Sequence, residues 1–271
     1  MGVFQDRPAH SAPGLVVARS ADGVVTMTLD RPAKKNAVTL AMWQQIATTV
    51  GALDKDETAR VIVLCGAGMD FCAGADIGEF AEVRRDAGTA RAYEGANSAA
   101  FAALRGCRVP VIASISGVCF GGGFGLAAAC DIRLGATGAL FSVPAARLGL
   151  AYPADAMADI VAACGPQMAR YLSFSGARLP AEAAYDAGFL LELLPDQAAL
   201  KARTTEIACA IAGNAPLSVA ASKASIRAAL SGRADDFSGA VTLGDATFDS
   251  ADYAEGRAAF LERRAPRFKG R

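Results

Sequence analysis

Two glycine-rich stretches are the parts of this 271-residue chain best suited to chemistry. The first is Gly66-Ala-Gly68 followed by Met-Asp-Phe-Cys-Ala-Gly-Ala-Asp-Ile77, and the second is Gly117-Val-Cys-Phe-Gly-Gly-Gly-Phe-Gly125. Each follows a short apolar run that reads as a strand. Glycines there let the backbone turn with positive φ and bring its amide groups close to a ligand. If each loop leads into a helix, as Asp76 onward and Gly122 onward suggest, the unpaired N–H groups at the helix starts favour negative charge. Two such groups facing one oxygen would stabilise an oxyanion. The alternative is that the glycines only permit tight strand-to-helix packing. Neither stretch is a nucleotide motif: the first has Phe71 where GxGxxG needs its third glycine, and neither contains the GK[ST] of a phosphate loop.

Much other chemistry is excluded by composition. The only histidine, His10, lies in a polar N-terminal stretch, which leaves no serine–histidine triad and no histidine-rich metal site. With 27 Lys+Arg against 27 Asp+Glu, neither the basic footprint of a nucleic-acid binder nor a polybasic membrane patch is present. Cysteines 65, 72, 107, 119, 130, 164 and 209 are odd in number and never spaced CxxC, which suggests neither disulfides nor a zinc knuckle and fits a reducing cytoplasm. The start MGVFQDRPAH lacks the layout of a signal peptide. From Val109 to Cys130 the chain carries no charge, but Pro110, two serines and five glycines interrupt it, so the run reads as strand, turn and helix and not as a membrane span.

The elements that must position the loops follow from periodicity. Leu15 to Arg19 and Val24 to Leu29, separated by Asp22-Gly23, read as a hairpin. Met42, Trp43, Ile46, Val50 and Leu53 recur at helical spacing over Thr39 to Leu53. Arg60 to Cys65 and Val109 to Ile115 are apolar runs of the kind buried on both faces of a parallel sheet. Beyond Pro180 the pattern predicts helices over Ala181–Ala187, Gln197–Ala212, Pro216–Leu230, Asp236–Asp249 and Tyr253–Arg264. Alanine on several faces of these helices favours an oligomer interface.

Phe71-Cys-Ala-Gly-Ala-Asp-Ile77, Ile115-Ser-Gly117 with Gly121-Gly-Gly123, Cys130-Asp-Ile132, and Glu255-Gly-Arg-Ala-Ala-Phe-Leu-Glu-Arg-Arg264 resemble the enoyl-CoA hydratase/isomerase (crotonase) superfamily. Leu29-Asp-Arg-Pro32 and Asn36-Ala37 fit as well, and the match runs from about Leu15 to Phe268. The resemblance implies an α/β fold of repeated ββα units: a tail at 1–13, a spiral core with an acyl-CoA site at 14–195, and a helical oligomerisation region at 196–271 that forms a homotrimer or a dimer of trimers. It implies an acyl-CoA substrate and no other cofactor, with the thioester oxygen held by the N–H groups of Ala75 and Gly122. Coenzyme A contacts carry over to Lys34, Lys35, Ala37, Ala73, Asp76 and Ile77, and to Phe260 and Arg263 for the adenine and 3′-phosphate.

The chain departs from the family where its hydratases carry two glutamates, having Gly125 and Ala145 there. A third acid position, used by some isomerases, is Pro153. Tyr152 and Asp155 flank it; Asp155 either shuttles a proton or caps the following helix. Glu79, Glu82 and Glu94 lie near the first loop, although Glu82-Val-Arg-Arg-Asp86 reads first as a solvated helix face. Ser142 and Cys119 are expected to pack beside glycine. These readings imply an enzyme that stabilises a thioester enolate without being an ordinary two-glutamate hydratase. The alternatives are an acyl-CoA-binding protein with little turnover, or a decarboxylase or other thioester lyase of the same superfamily.

Overall fold

The computed structural model describes residues 14–271; the expected tail and His10 lie outside the described residues. The fold is α/β. A six-stranded sheet has the order β1-β2-β3-β4-β6-β9, built from β1 Gly14–Arg19, β2 Val24–Asp30, β3 Val61–Gly66, β4 Val111–Ile115, β6 Ile132–Ala136 and β9 Glu192–Leu194. Within this sheet β1 and β2 pair antiparallel, as the Asp22-Gly23 turn requires, and the other neighbours pair parallel. A smaller sheet, β5-β7-β8, holds β5 Val118–Phe120, β7 Leu140–Ser142 and β8 Leu179–Pro180.

Apolar runs buried on both faces explain the parallel strands. Val25, Met27 and Leu29 of β2, with Ile62, Leu64, Ala113 and Ile115, face a core shared with α1 Leu40–Asp54 and α3 Ala87–Gly106. The alternate residues Val24, Val61, Val63 and Ile112 face Leu200 and Ala208 of α7 Gln197–Ala212. The other helices are α2 Phe80–Val83, α4 Gly122–Ala128, α5 Ala154–Ser175, α6 Ala181–Asp186, α8 Pro216–Ser231, α9 Ala234–Ala246 and α10 Ala251–Glu262. The uncharged run at 109–130 resolves into β4, β5 and α4, and no helix among the described residues is long and apolar enough to cross a membrane.

Two expectations about charged residues are corrected here. Arg84, read as part of a solvated face, is mostly buried: its guanidinium lies over the rings of Phe80 and Tyr93, 4.4 and 4.8 Å from their centroids, and pairs with Glu94. Asp155 is not an N-cap. Pro153 takes that position, so Asp155 falls in the first turn of α5 and accepts a hydrogen bond from Ser98 Oγ at 3.2 Å.

One turn further along α5, Asp159 is 7% exposed and pairs with Arg105 of α3. Burial pushes its carboxyl up to about 6, against the pull of the Arg105 charge. Because that value lies above the usual 3.8, the folded chain holds the proton more tightly than the unfolded one. The stability this group contributes is therefore full below 3.8 and is lost as pH rises through about 6. Asp159→Asn, which cannot ionise, should flatten the fall of the urea midpoint between about pH 4 and pH 6.5. Parallel midpoint curves for the variant and the parent would refute this.

Candidate active site

Hydrogen bonds between backbones bring the two glycine loops side by side. Phe71 N donates to Ser116 O at 2.7 Å, Cys72 N to Val118 O at 2.8 Å and Phe120 N to Cys72 O at 2.9 Å. Asp70 adds a side-chain tie, accepting from Val118 N at 2.9 Å. Gly74-Ala75 thus lies directly against Gly121-Gly122. A Cβ on Gly74 would stand 3.2 Å from Gly122 N, and one on Gly122 would stand 3.6 Å from Ala75 N. Gly74, at φ +100°, and Gly121, at φ +51°, hold left-handed backbone that side-chain-bearing residues rarely adopt.

At this junction two donors are left over. Gly74 O and Asp76 N both pair with Val38, which brackets Ala75 and leaves the N–H of Ala75 on the opposite edge. Gly122 is the first residue of α4, so its N–H has no intrahelical acceptor. Among the described residues neither amide donates to any acceptor. Ala75 and Gly122 are half-buried, while Trp43, Phe71 and Phe124 around them are fully buried. The arrangement leaves two unpaired amides close together on loops tied to each other, and unpaired backbone N–H groups favour negative charge.

The segment 34–38 forms one rim of the junction. Ala73 N donates to Lys35 O at 2.9 Å and Val38 N to Gly74 O at 2.8 Å, which sets the segment of Lys34, Lys35 and Ala37 beside that of Ala73, Asp76 and Ile77. Both lysines are exposed, and Ile77 is 70% exposed. Burial pushes the Asp76 carboxyl up, but the Arg31 guanidinium, 2.8 Å away, and the Gly78 amide outweigh it and hold the group below the usual carboxylate range. Asp76 therefore fastens the rim. Phe260 and Arg263 are not brought here: Phe260 is 83% exposed at the end of α10, and no hydrogen bond, ion pair or ring contact among the described residues joins either residue to the loops.

The space beside Gly125 is already filled. A Cβ there would fall within the radius of the Tyr152 hydroxyl and 2.8 Å from Phe101 Cζ. Tyr152 Oη donates to Gly121 O at 2.8 Å, and burial pushes its hydroxyl far above the usual value, which keeps it protonated. Glu79 accepts from Leu40 N at 2.9 Å, Glu94 pairs with Arg84, and Glu82 is exposed. Cys119 is fully buried and its thiol is pushed well up by burial; Ser142 donates to Gly176 O at 3.2 Å. Both pack as the sequence suggests, and neither is an activated nucleophile.

Sequence reasoning did not single out the residues that hold the loops. Asn36, fully buried at φ +56°, donates to Ala67 O at 2.9 Å and Asp70 O at 2.6 Å, and accepts from Arg31 N at 3.0 Å. Trp43, whose ring borders Gly122, is fixed by donating from Nε1 to Tyr93 Oη at 3.0 Å. Asparagine is among the few residues that visit left-handed backbone readily, but nothing local shows that Asn36 does so.

The chain resembles known proteins over nearly its whole length. The family model "Enoyl-CoA hydratase/isomerase" matches residues 19–271. Among curated relatives, a mevalonyl-coenzyme A hydratase of Aspergillus fumigatus is 30% identical over 96% of this chain and 97% of its own. A 2,3-dehydroadipyl-CoA hydratase of Escherichia coli is 31% identical over 95% and 99%. A solved enoyl-CoA hydratase/carnithine racemase from Magnetospirillum magneticum superimposes with a TM-score of 0.88 at 34% identity, over 96% of this chain and 97% of that one. The α/β architecture is thus the crotonase-like fold, and the chain belongs to the enoyl-CoA hydratase/isomerase family.

Proposed function

We propose that the protein is an enzyme that binds an acyl-CoA thioester and stabilises its enolate between the N–H groups of Ala75 and Gly122. The observation that carries this reading is the pair of unpaired, abutting backbone donors on fixed loops. Transfer of an α-proton to water, or loss of CO2 from a malonyl-type thioester, places negative charge on the thioester oxygen, and donors near that oxygen lower the barrier without rearranging. Lys34 and Lys35 on the rim supply point charges for the diphosphate. Coenzyme A is part of the substrate, and no further cofactor is required.

Hydration of the two-glutamate type is not the reaction we assign. Gly125 and Ala145 offer no carboxylate, Tyr152 is committed to Gly121 O, and Asp155 turns toward Ser98 and Arg105. A second reading rests on the same observation: in decarboxylation of a malonyl-type thioester, loss of CO2 generates the enolate, and no base is needed. An acyl-CoA-binding role with little turnover remains the third alternative.

The C-terminal region 196–271 is proposed to build a homotrimer or a dimer of trimers. Exposed Ile226, Leu230, Val241, Phe260 and Leu261 on its helices, with Phe248 in the turn between α9 and α10, support this, because such apolar surface favours burial against another subunit. In that assembly Phe260 and Arg263 would reach a neighbour's acyl-CoA. Six buried free thiols support a reducing, cytoplasmic setting.

The test is incubation of the purified protein in D2O with butyryl-CoA, crotonyl-CoA and malonyl-CoA. We expect α-deuterium incorporation into butyryl-CoA or loss of CO2 from malonyl-CoA, with little hydration of crotonyl-CoA. Tight binding with none of these reactions would leave a binding protein; rapid hydration would overturn the assignment.

A further inference from the structure

The hydroxyl that fills the space beside Gly125 points at one particular peptide. Tyr152 Oη donates to the carbonyl oxygen of Gly121, and that carbonyl belongs to the same peptide unit as the N–H of Gly122. In a trans peptide the C=O and N–H lie in one plane and point in opposite directions, so whatever holds the oxygen also aims the hydrogen.

We propose that Tyr152 is a positioning residue of the oxyanion hole, setting the direction and donor strength of the Gly122 N–H through its hydrogen bond to Gly121 O. The inference rests on the reading of Ala75 and Gly122 given above.

Three observations support it. First, the peptide needs holding. Gly121 sits at φ +51°, ψ −119°, and with glycine on both sides no side chain resists a flip of this unit. A flip would present a carbonyl oxygen where the N–H stands and would repel the thioester oxygen. Secondly, the carbonyl is fully used: Gly125 N donates to it at 3.1 Å besides Tyr152, which satisfies both lone pairs. Donation to the oxygen also polarises the unit and strengthens its N–H, by about 10–30% per bond. Thirdly, the hydroxyl can reach because residue 125 has no side chain; any Cβ there would occupy its place. The loss of a side chain at 125 and the presence of Tyr152 are therefore one arrangement. Burial keeps the phenol protonated, so it stays a donor across the working pH range.

The decisive measurement is the infrared stretch of the thioester carbonyl of 13C-labelled butyryl-CoA bound to the full-length protein. In the parent the band should fall in frequency on binding. In Tyr152→Phe part of that fall should be lost, and the kcat of α-proton exchange should drop about tenfold, the size of one net hydrogen bond, with KM nearly unchanged. A residue that merely filled space would leave the band where it was. Should Tyr152→Phe fail to fold, incorporation of 3-fluorotyrosine at position 152, a stronger donor, should deepen the fall instead. A band fully shifted in the parent and unmoved by either change would overturn the role of Tyr152 alone. A band that does not shift even in the parent would overturn the oxyanion-hole reading and this inference with it.

Discussion

Gly122→Ala is expected to slow α-proton exchange of butyryl-CoA by about a hundredfold to a thousandfold, the usual cost of losing one oxyanion donor. The added methyl would lie 2.8 Å from Trp43 Cζ2 and 2.9 Å from Cη2. Trp43 cannot retreat, being fully buried and tied to Tyr93 Oη through its indole nitrogen. The first turn of α4 must therefore move, and the N–H of residue 122 moves with it. Because the interaction is made chiefly in the transition state, the loss should appear in kcat more than in KM. Ala75→Ser is the matched control, since the donor there is backbone and survives the change. Mass-spectrometric exchange rates check both; an unaltered rate in Gly122→Ala would remove this amide from the mechanism.

Restoring a carboxylate at Gly125 is expected to fail, and to cost more stability than any other single change considered. The new side chain would have to displace the Tyr152 hydroxyl and the Phe101 ring, and it would bring an unpaired charge into a helix buried from Gly123 to Ala128. Overpacking alone costs about 1–3 kcal/mol, and burying an unpaired charge adds to it, so a loss of about 4 kcal/mol is reasonable for Gly125→Glu. Combining it with Tyr152→Ala opens the space again and should return part of the melting temperature. Thermal unfolding of the single and double variants measures this. A single variant as stable as the parent would show that the space is not filled as described.

Legibility of the fold varied with how local each cause was. The sequence places the helix over Gln197–Ala212 to the residue and α8 nearly so, because Gly213-Asn214 and Ser231-Gly232 bound their alanine-rich runs, while α10, which neither break touches, is placed to within a few residues. The parallel strands were equally plain, since burial on both faces leaves an uninterrupted apolar run. The sequence reading left α3 without an element. Its start is a capping box in which Asp86 and Thr89 exchange hydrogen bonds, and the usual signal for such a box has Glu or Gln at the later position. The strands β7, β8 and β9 are only two or three residues long, too short to show a period.

The same division holds at the site. Ala75 and Gly122, the two amides proposed as donors, can be named from the family motifs because a backbone donor does not depend on its side chain. The groups around them were not. Asp155 reads as a cap until Pro153 is seen to start the helix, and Arg84 reads as solvated until Phe80 and Tyr93 close over it. Asn36 and Tyr152 act on residues distant in sequence, and only the folded chain shows which ones.

The interlocked glycine loops also bear on how the protein comes to be active. One donor follows β3 and the other follows β4 and β5, and the two loops are joined by bonds that exist only after those strands have paired in parallel. Parallel pairing across crossovers closes large loops before any contact rewards them, which makes it a slow event. During refolding, helices such as α8 can form early from local contacts, while the junction of the loops waits for β3 and β4 to pair across a long stretch of sequence. The site thus assembles after the local helices, and no fragment that stops short of β5 can possess it.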